Sequence, residues 1–210
     1  MDLLERGRFL DELLSTLRGV GRGGGAIALV GGEAGVGKTS LVERFVRLAQ
    51  RDAPPPRVLW GVCDALFTPR PLSPLFDIAQ QAGGALRAQV EGGADRERIF
   101  GAFLRELGRA PPVSVAVFED VHWADDATLD VLKYVSRRIR QTTTLLIVTY
   151  RDDEVGPAHP FRLVLGELPH DAVRRISLPL LSRDAVGELA RRAGRTRTAS
   201  SPRTTRGSRS

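Results

Sequence analysis

The residues of this sequence whose types and spacing can do chemistry begin with a glycine-rich loop. The segment Gly32, Glu33, Ala34, Gly35, Val36, Gly37, Lys38, Thr39 follows the pattern Gly-x4-Gly-Lys-[Ser/Thr], and Ser40 comes next. Glycines let the backbone curl so that its N–H groups converge on an anion, and a following helix directs the positive end of its dipole to the same place. The alternative is an ordinary glycine-rich turn. The strand–loop–helix setting favours a phosphate-binding loop.

Within this loop we predict different tasks for the two side chains that end the pattern. Lys38 is expected to reach the β- and γ-phosphates of a nucleotide, and the hydroxyl of Thr39 to bind Mg²⁺. We assign the whole segment 32–40 to nucleotide binding. The predicted ligands are therefore a nucleoside triphosphate and magnesium.

Two adjacent carboxylates provide a second candidate element. Glu119 and Asp120 follow the apolar run Val113–Phe118, and an acid at the end of a buried strand can face the phosphates. By register Glu119 takes the metal-side position and Asp120 the water-polarising one, although many ATPases of this kind place Asp first and Glu second. The alternative is a pair of surface acids after a strand.

An arginine beyond the next predicted strand is the third candidate. Arg151 follows Thr149 by two residues, and strand ends at one edge of a parallel sheet converge on the ligand crevice. A guanidinium there can stabilise the γ-phosphate. Alternatively Arg151 pairs on the surface with one of the acids of the segment 152–154. The candidate catalytic residues are thus Glu119, Asp120 and Arg151.

The elements that must position these groups alternate between strand and helix. Apolar runs predict strands at 26–30, 57–62, 113–118, 143–150 and 174–178, and amphipathic spacing predicts helices at 2–19, 39–50, 75–82, 96–109, 127–140, 161–168 and 183–192. Asp125 or Asp126 is a candidate cap for the helix at 127–140. This order predicts an α/β fold, a P-loop NTPase with a doubly wound, parallel, five-stranded sheet flanked by helices.

The positive charge of the chain is concentrated at its C-terminal end. The formal net charge is +6, but residues 191–210 hold seven arginines and no acid, and the other residues hold 24 basic and 25 acidic side chains. The segment 194–210 has only Ala199 and Pro202 as apolar side chains, too few to offset the entropy of ordering. We therefore predict a domain at 1–192 and a disordered basic tail at 193–210.

Composition argues against several other classes of protein. Cys63 is the only cysteine, so the chain has no intrachain disulfide and no cysteine-based zinc site. The three histidines lack ligand spacing. We see no basic, apolar leader and no apolar run near the ~20 residues of a membrane helix, so we expect no membrane partner and a cytoplasmic protein.

Several segments together resemble the ATPase domain of the large LuxR-type ATP-binding transcriptional regulators, a branch of the STAND/AAA+-like P-loop ATPases. The resemblance runs from Leu3 to about Leu189. It is carried by Leu-Leu-Glu-Arg at 3–6, the phosphate loop, Cys-Asp-Ala-Leu-Phe-Thr-Pro-Arg-Pro-Leu at 63–72, Glu-Asp-Val-His-Trp-Ala-Asp at 119–125, Thr-Tyr-Arg-Asp-Asp-Glu at 149–154 and Leu-Pro-Leu-Leu-Ser at 178–182.

The resemblance implies an ATP-driven signalling switch, a Mg²⁺-dependent ATPase of low turnover, more than a fast metabolic enzyme. It implies that the segment around Arg6 lies near the nucleotide base, and it gives ATP over GTP as the ligand. His122 and Trp123 are characteristic of the family without a clear chemical role; packing beneath the strand end is an equally good interpretation. We further expect ATP and ADP as partners and self-association through this domain.

The resemblance stops near residue 190, before the lid, the helical-repeat sensor and the DNA-binding helix-turn-helix of the family. We therefore expect a truncated or frameshifted chain, with 194–210 read out of frame. Two other functions stay open: a non-functional remnant that binds nucleotide poorly, and a nucleic-acid-binding protein acting through the arginine tail. The second is the weaker, because the tail lacks aromatic residues for base stacking and direct DNA binding would be non-specific.

Overall fold

The computed structural model describes residues 4–65, 71–109, 111 and 113–199. For residues 21 and 192–199 it describes the backbone alone. Its strands are β1 (Ala26–Gly31), β2 (Arg57–Val62), β3 (Ser114–Glu119), β4 (Thr144–Thr149) and β5 (Val173–Ser177). Its helices are α1 (Gly7–Gly23), α2 (Lys38–Ala49), α3 (Ser73–Ala82), α4 (Gly84–Glu91), α5 (Arg96–Leu107), α6 (Asp126–Ser136), α7 (Pro160–Glu167) and α8 (Arg183–Ala199).

The five strands form one parallel sheet in the order β2-β3-β4-β1-β5. The predicted fold class is confirmed. β1, which leads into the phosphate loop, lies beside β4, and β4 separates it from β3. Since all strands are parallel, the residues that follow β1, β3 and β4 lie at one edge of the sheet.

Both faces of the central strands are buried, which explains why these strands are largely apolar. In β1, Ile27 and Leu29 pack into the core that includes α5, α6 and α7, whereas Ala28 and Val30 pack into the core formed with α1 and α2. β3 and β4 are buried along their whole length. The rigid two-sided core therefore fixes where these strands end.

Several boundaries differ from the predicted ones. α1 begins at Gly7, the helix predicted to end at 140 ends at Ser136, and α4 was not predicted. α8 continues to Ala199, beyond the predicted end at 192 and into the segment that was predicted to be disordered. The rest of the predicted tail, 200–210, and part of the motif at 63–72 lie outside the described residues.

The described helices include none that is long and apolar enough to cross a membrane.

Candidate functional site

The phosphate loop connects β1 to α2 and has the backbone shape that its glycines were predicted to allow. Gly35 and Gly37 adopt left-handed conformations with φ of 72° and 94°, a region that side chains with a Cβ rarely enter. α2 starts directly at Lys38, and within the described chain no side chain caps its first turn. Its free N–H groups and its dipole are thus available to an anion.

Lys38 lies folded over this loop. Its Nζ donates to the backbone oxygens of Gly32, at 2.8 Å, and Glu33, at 2.9 Å. Only 7% of the residue is exposed, and this burial lowers the pKa of the ammonium, against the opposing effect of Asp120. A phosphate oxygen can replace the two carbonyls as acceptor, because the lysine needs only to rotate its flexible stem.

Glu119 contacts the phosphate loop through a hydroxyl. The Thr39 hydroxyl donates to Glu119 Oε1, and the indole Nε1 of Trp60 donates to Glu119 Oε2 at 2.9 Å. The carboxylate is 8% exposed and has a donor on each oxygen. Hydroxyl and carboxylate oxygens are the ligands that Mg²⁺ prefers, so this pair of side chains fits that ion.

Asp120 begins the turn after β3 and has a left-handed backbone with φ of 54°. Its backbone N–H donates to the hydroxyl of Thr149, at the end of β4, at 3.0 Å. The carboxylate of Asp120 lines the same cavity as Lys38. β4 therefore holds the turn that presents this acid.

Arg151 also lines that cavity and is engaged on the surface as well. Its guanidinium pairs with Glu154 and lies 4.7 Å over the ring of Trp123. The hydrogen bond with Glu154 raises the pKa of Arg151 and lowers that of Glu154. Both interpretations from the sequence are thus compatible with its position.

These predicted residues enclose one open cavity of about 300 Å³. It is lined by Gly35, Gly37, Lys38, Thr39, Ser40, Asp120 and Arg151. Glu119 is not part of this lining and contacts the cavity through its hydrogen bond from Thr39. Gly32 and Glu33 contribute backbone oxygens to Lys38, Val36 belongs to the next cavity, and Ala34 has an exposed side chain.

A second cavity of about 400 Å³ adjoins the first and shares Gly35, Gly37 and Ser40 with it. Its other walls include Leu4 and Arg6 from the N-terminal segment, and Leu181 and Leu189 from the segment around the start of α8. Arg6 is 3% exposed and donates to the backbone oxygens of Val36 and Pro179. A largely apolar cavity and a polar one therefore share part of the phosphate loop as a wall.

The segment between β3 and α6 has three different structural tasks. His122 is buried at the edge of the site, and Trp123 supports Arg151. Asp125 accepts from the N–H groups of Ala127 and Thr128, which confirms it as the cap of α6.

Sequence reasoning missed three side chains of this site. Trp60 and Thr149 lie on strands, where each looks like an ordinary strand residue, and no local pattern pairs them with Glu119 and Asp120. Asp152 follows Arg151; burial raises the pKa of its carboxyl, which accepts a backbone hydrogen bond from Gly32. The segment 149–154 could have indicated Thr149 and Asp152, whereas no local signal marks Trp60.

The loop, the strand order and the cavity define the class: a P-loop nucleotide-binding domain. The chain belongs to the AAA ATPase domain family, whose model matches residues 2–148. A relative from Rhizobium meliloti (strain 1021), described only as an uncharacterized protein, is 26% identical over 82% of this chain and 21% of its own length. The chain thus spans about a fifth of that relative.

Solved structures with the same fold are more distant in sequence. The ORC1 protein of Aeropyrum pernix, in complex with DNA, superposes with a TM-score of 0.66 at 17% identity, over 92% of this chain and 50% of that one. AMPPCP-bound DnaA of Aquifex aeolicus gives 0.53 at 15% identity, over 97% of this chain and 56% of that one. At these identities the likeness extends to the fold alone.

Proposed function

We propose that this domain binds ATP with Mg²⁺, hydrolyses it slowly, and acts as the nucleotide switch of a LuxR-type transcriptional regulator. The observation that carries the proposal is the single cavity lined by Lys38, Thr39, Asp120 and Arg151 beside an uncapped helix. The regulator class rests on the resemblance of the segments 119–125 and 149–154 to that family. The AMPPCP-bound DnaA structure adds support for a nucleotide ligand.

In this proposal the adjoining cavities divide the ligand between them. The phosphates lie against the α2 N-terminus and Lys38, while the base and sugar fill the space between Arg6 and Leu181. Thr39 and Glu119 would hold Mg²⁺, which supplies charge neutralisation at the phosphates. Arg151 leaves Glu154 to contact the γ-phosphate.

Asp120 is the proposed group that orients the attacking water. Its carboxylate borders the cavity and can accept a proton from water, whereas Glu119 is occupied by Thr39 and Trp60. The order of the two acids is then Glu for the metal and Asp for the water. Because the cavity is open to solvent, turnover below about 1 s⁻¹, the low end of typical enzymes, is expected.

A titration with a fluorescent ATP analogue and Mg²⁺ tests the binding step. Lys38→Ala should weaken binding by about 10- to 100-fold, because a charge-assisted hydrogen bond is worth about 1.5–3 kcal/mol. Lys133→Ala is the matched control: Lys133 is the only other lysine of the sequence, and it pairs with Glu167 on α7. ATP should displace the analogue better than GTP.

Equal binding by wild type and Lys38→Ala would exclude the phosphate loop as the binding site. Phosphate release by the wild type, measured under saturating ATP, then separates a slow switch from a fast enzyme.

A further inference from the structure

His122 is a buried imidazole with no hydrogen bond on either ring nitrogen within the described part of the chain. Its side chain is completely shielded from solvent. Polar atoms buried in proteins are almost always hydrogen-bonded, so such a group requires an explanation. Here the group lies at the edge of the candidate site, two residues after Asp120.

The backbone and the ring of His122 are each contacted by a neighbouring side chain. His159, which caps α7 through its Nδ1, uses its Nε2 to contact the backbone oxygen of His122 at 3.0 Å. The ring of Trp123 packs against that of His122 with centroids 4.5 Å apart. We therefore expect that small movements of neighbouring side chains, and not a movement of the His122 ring itself, would complete the hydrogen bonds of the ring.

Two carboxylates face the two ring nitrogens. Asp120 Oδ1 lies 3.9 Å from Nδ1, and Glu154 Oε2 lies 3.6 Å from Nε2, both beyond the usual limit of about 3.2 Å. The other charges that act on the ring are Arg151 and Lys38. Burial lowers the pKa of His122, and a neutral imidazole carries one N–H, so it can donate to one of the two acids at a time.

Glu154 keeps other partners when Arg151 turns to the phosphates, because the Trp123 side chain also donates to it and its own side chain is 37% exposed to water. Asp120 differs from Glu154 in this respect. The cations that line the cavity beside Asp120 are Lys38 and Arg151, and a bound triphosphate would attract both. When those cations turn to the phosphates, Asp120 needs another donor to keep one orientation. Nδ1 of His122 is the buried nitrogen that faces it.

We propose that His122 is a positioning residue that donates from Nδ1 to Asp120 when a nucleoside triphosphate is bound, and so directs this carboxylate at the attacking water. The inference rests on the proposed ATPase function. It assigns a task to the histidine of the segment 119–125, and it requires Asp120 and His122 to approach by less than about 1 Å.

Three substitutions distinguish the two nitrogens. His122→Asn keeps an N–H near the position of Nδ1, His122→Gln extends one to the position of Nε2, and His122→Leu removes both while filling the space. We expect single-turnover phosphate release to fall by about 10-fold or more in the Gln and Leu variants, as for other groups that orient a functional residue. The Asn variant should retain clearly more activity, and all three should bind a non-hydrolysable ATP analogue like the wild type.

A crystal structure of the wild type with Mg²⁺ and the same analogue provides a readout that does not depend on turnover. The Nδ1 to Oδ1 distance should shorten to about 3.2 Å or less. A distance that stays beyond 3.5 Å, or equal losses in the Asn, Gln and Leu variants, overturns the inference while leaving nucleotide binding intact. Absence of nucleotide binding by the wild type overturns the proposed function itself.

Discussion

At the scale of single residues, the site depends on how a buried carboxylate is held. Glu119 is 8% exposed, and a charge in such a place requires hydrogen-bond donors to replace water. Thr39 provides one and Trp60 the other. Trp60 thereby orients the oxygen of Glu119 that faces Thr39, although it lies on β2 and outside every recognisable motif.

Trp60→Phe removes this donor and keeps an aromatic ring in place. We expect the Mg²⁺ concentration needed for half-maximal nucleotide binding to rise about 2- to 10-fold, because one hydrogen bond contributes about 0.5–1.5 kcal/mol. Binding without Mg²⁺ should be unchanged. The measurement is a Mg²⁺ titration followed by the fluorescent nucleotide.

The matched control is Trp123→Phe. It makes the same chemical change at the other tryptophan, which supports Arg151 rather than Glu119. A similar shift of the Mg²⁺ requirement in both variants would contradict the role of Trp60.

The phosphate loop and the acidic pair could be predicted from the sequence because their residues are neighbours along the chain. Lys38 and Thr39 are adjacent, and so are Glu119 and Asp120. The bonds from Trp60 to Glu119 and from Thr149 to Asp120 cross between strands. They depend on strand order and register, for which a single sequence contains no local signal.

At the scale of elements, β2 illustrates how an edge strand is protected. It lies at one end of the sheet, and α3 covers it with side chains that bond its backbone. Gln81 accepts from the N–H of Trp60 at 2.8 Å, and Asp77 accepts from that of Val62 at 3.2 Å. Groups that would otherwise template aggregation are thus satisfied, and Trp60 is held where it reaches Glu119.

The close approach of α3 to β2 depends on Gly61. A Cβ added there would lie 2.1 Å from the backbone oxygen of Pro74. Gly61→Ala should therefore lower the free energy of unfolding by about 1–3 kcal/mol, as overpacking does elsewhere. Denaturant unfolding followed by circular dichroism measures this change.

Gly19→Ala is the opposite control for that experiment. Gly19 lies in α1, and an added Cβ would meet nothing within 4 Å. Alanine there should raise the stability by about 0.5–1 kcal/mol. A Gly61→Ala variant as stable as the wild type would show that α3 is not held at this distance.

The strands could be predicted closely and one helix could not. β2 begins and ends where it was predicted, since its apolar run is bounded by a proline cluster and by polar residues. α4 is eight residues long, and only Leu86 and Val90 are buried in it. With glycines at both ends, its sequence gives too weak a periodic signal, and packing against α3 and α5 determines its conformation.

At the scale of the whole molecule, segments far apart in sequence meet at the phosphate loop. Arg6 donates to Val36 in the loop and to Pro179 after β5, a partner 173 residues away. Glu5 beside it accepts from the backbone N–H of Ser182 at 2.9 Å. The N-terminal segment and the connection to α8 thus form one wall of the cavity assigned to the base.

Arg6→Ala tests whether this wall unites the fold and the ligand site. It leaves two carbonyls of a largely buried region without their donor, so we expect a loss of about 1–3 kcal/mol in unfolding free energy. Nucleotide affinity should fall as well, because Arg6 lines the cavity. The control Arg8→Ala removes an exposed arginine that lies 4.4 Å over Phe9, costs at most about 1 kcal/mol and leaves affinity unchanged. Equal nucleotide affinity in the two variants, by the same fluorescence titration, would separate Arg6 from the binding site.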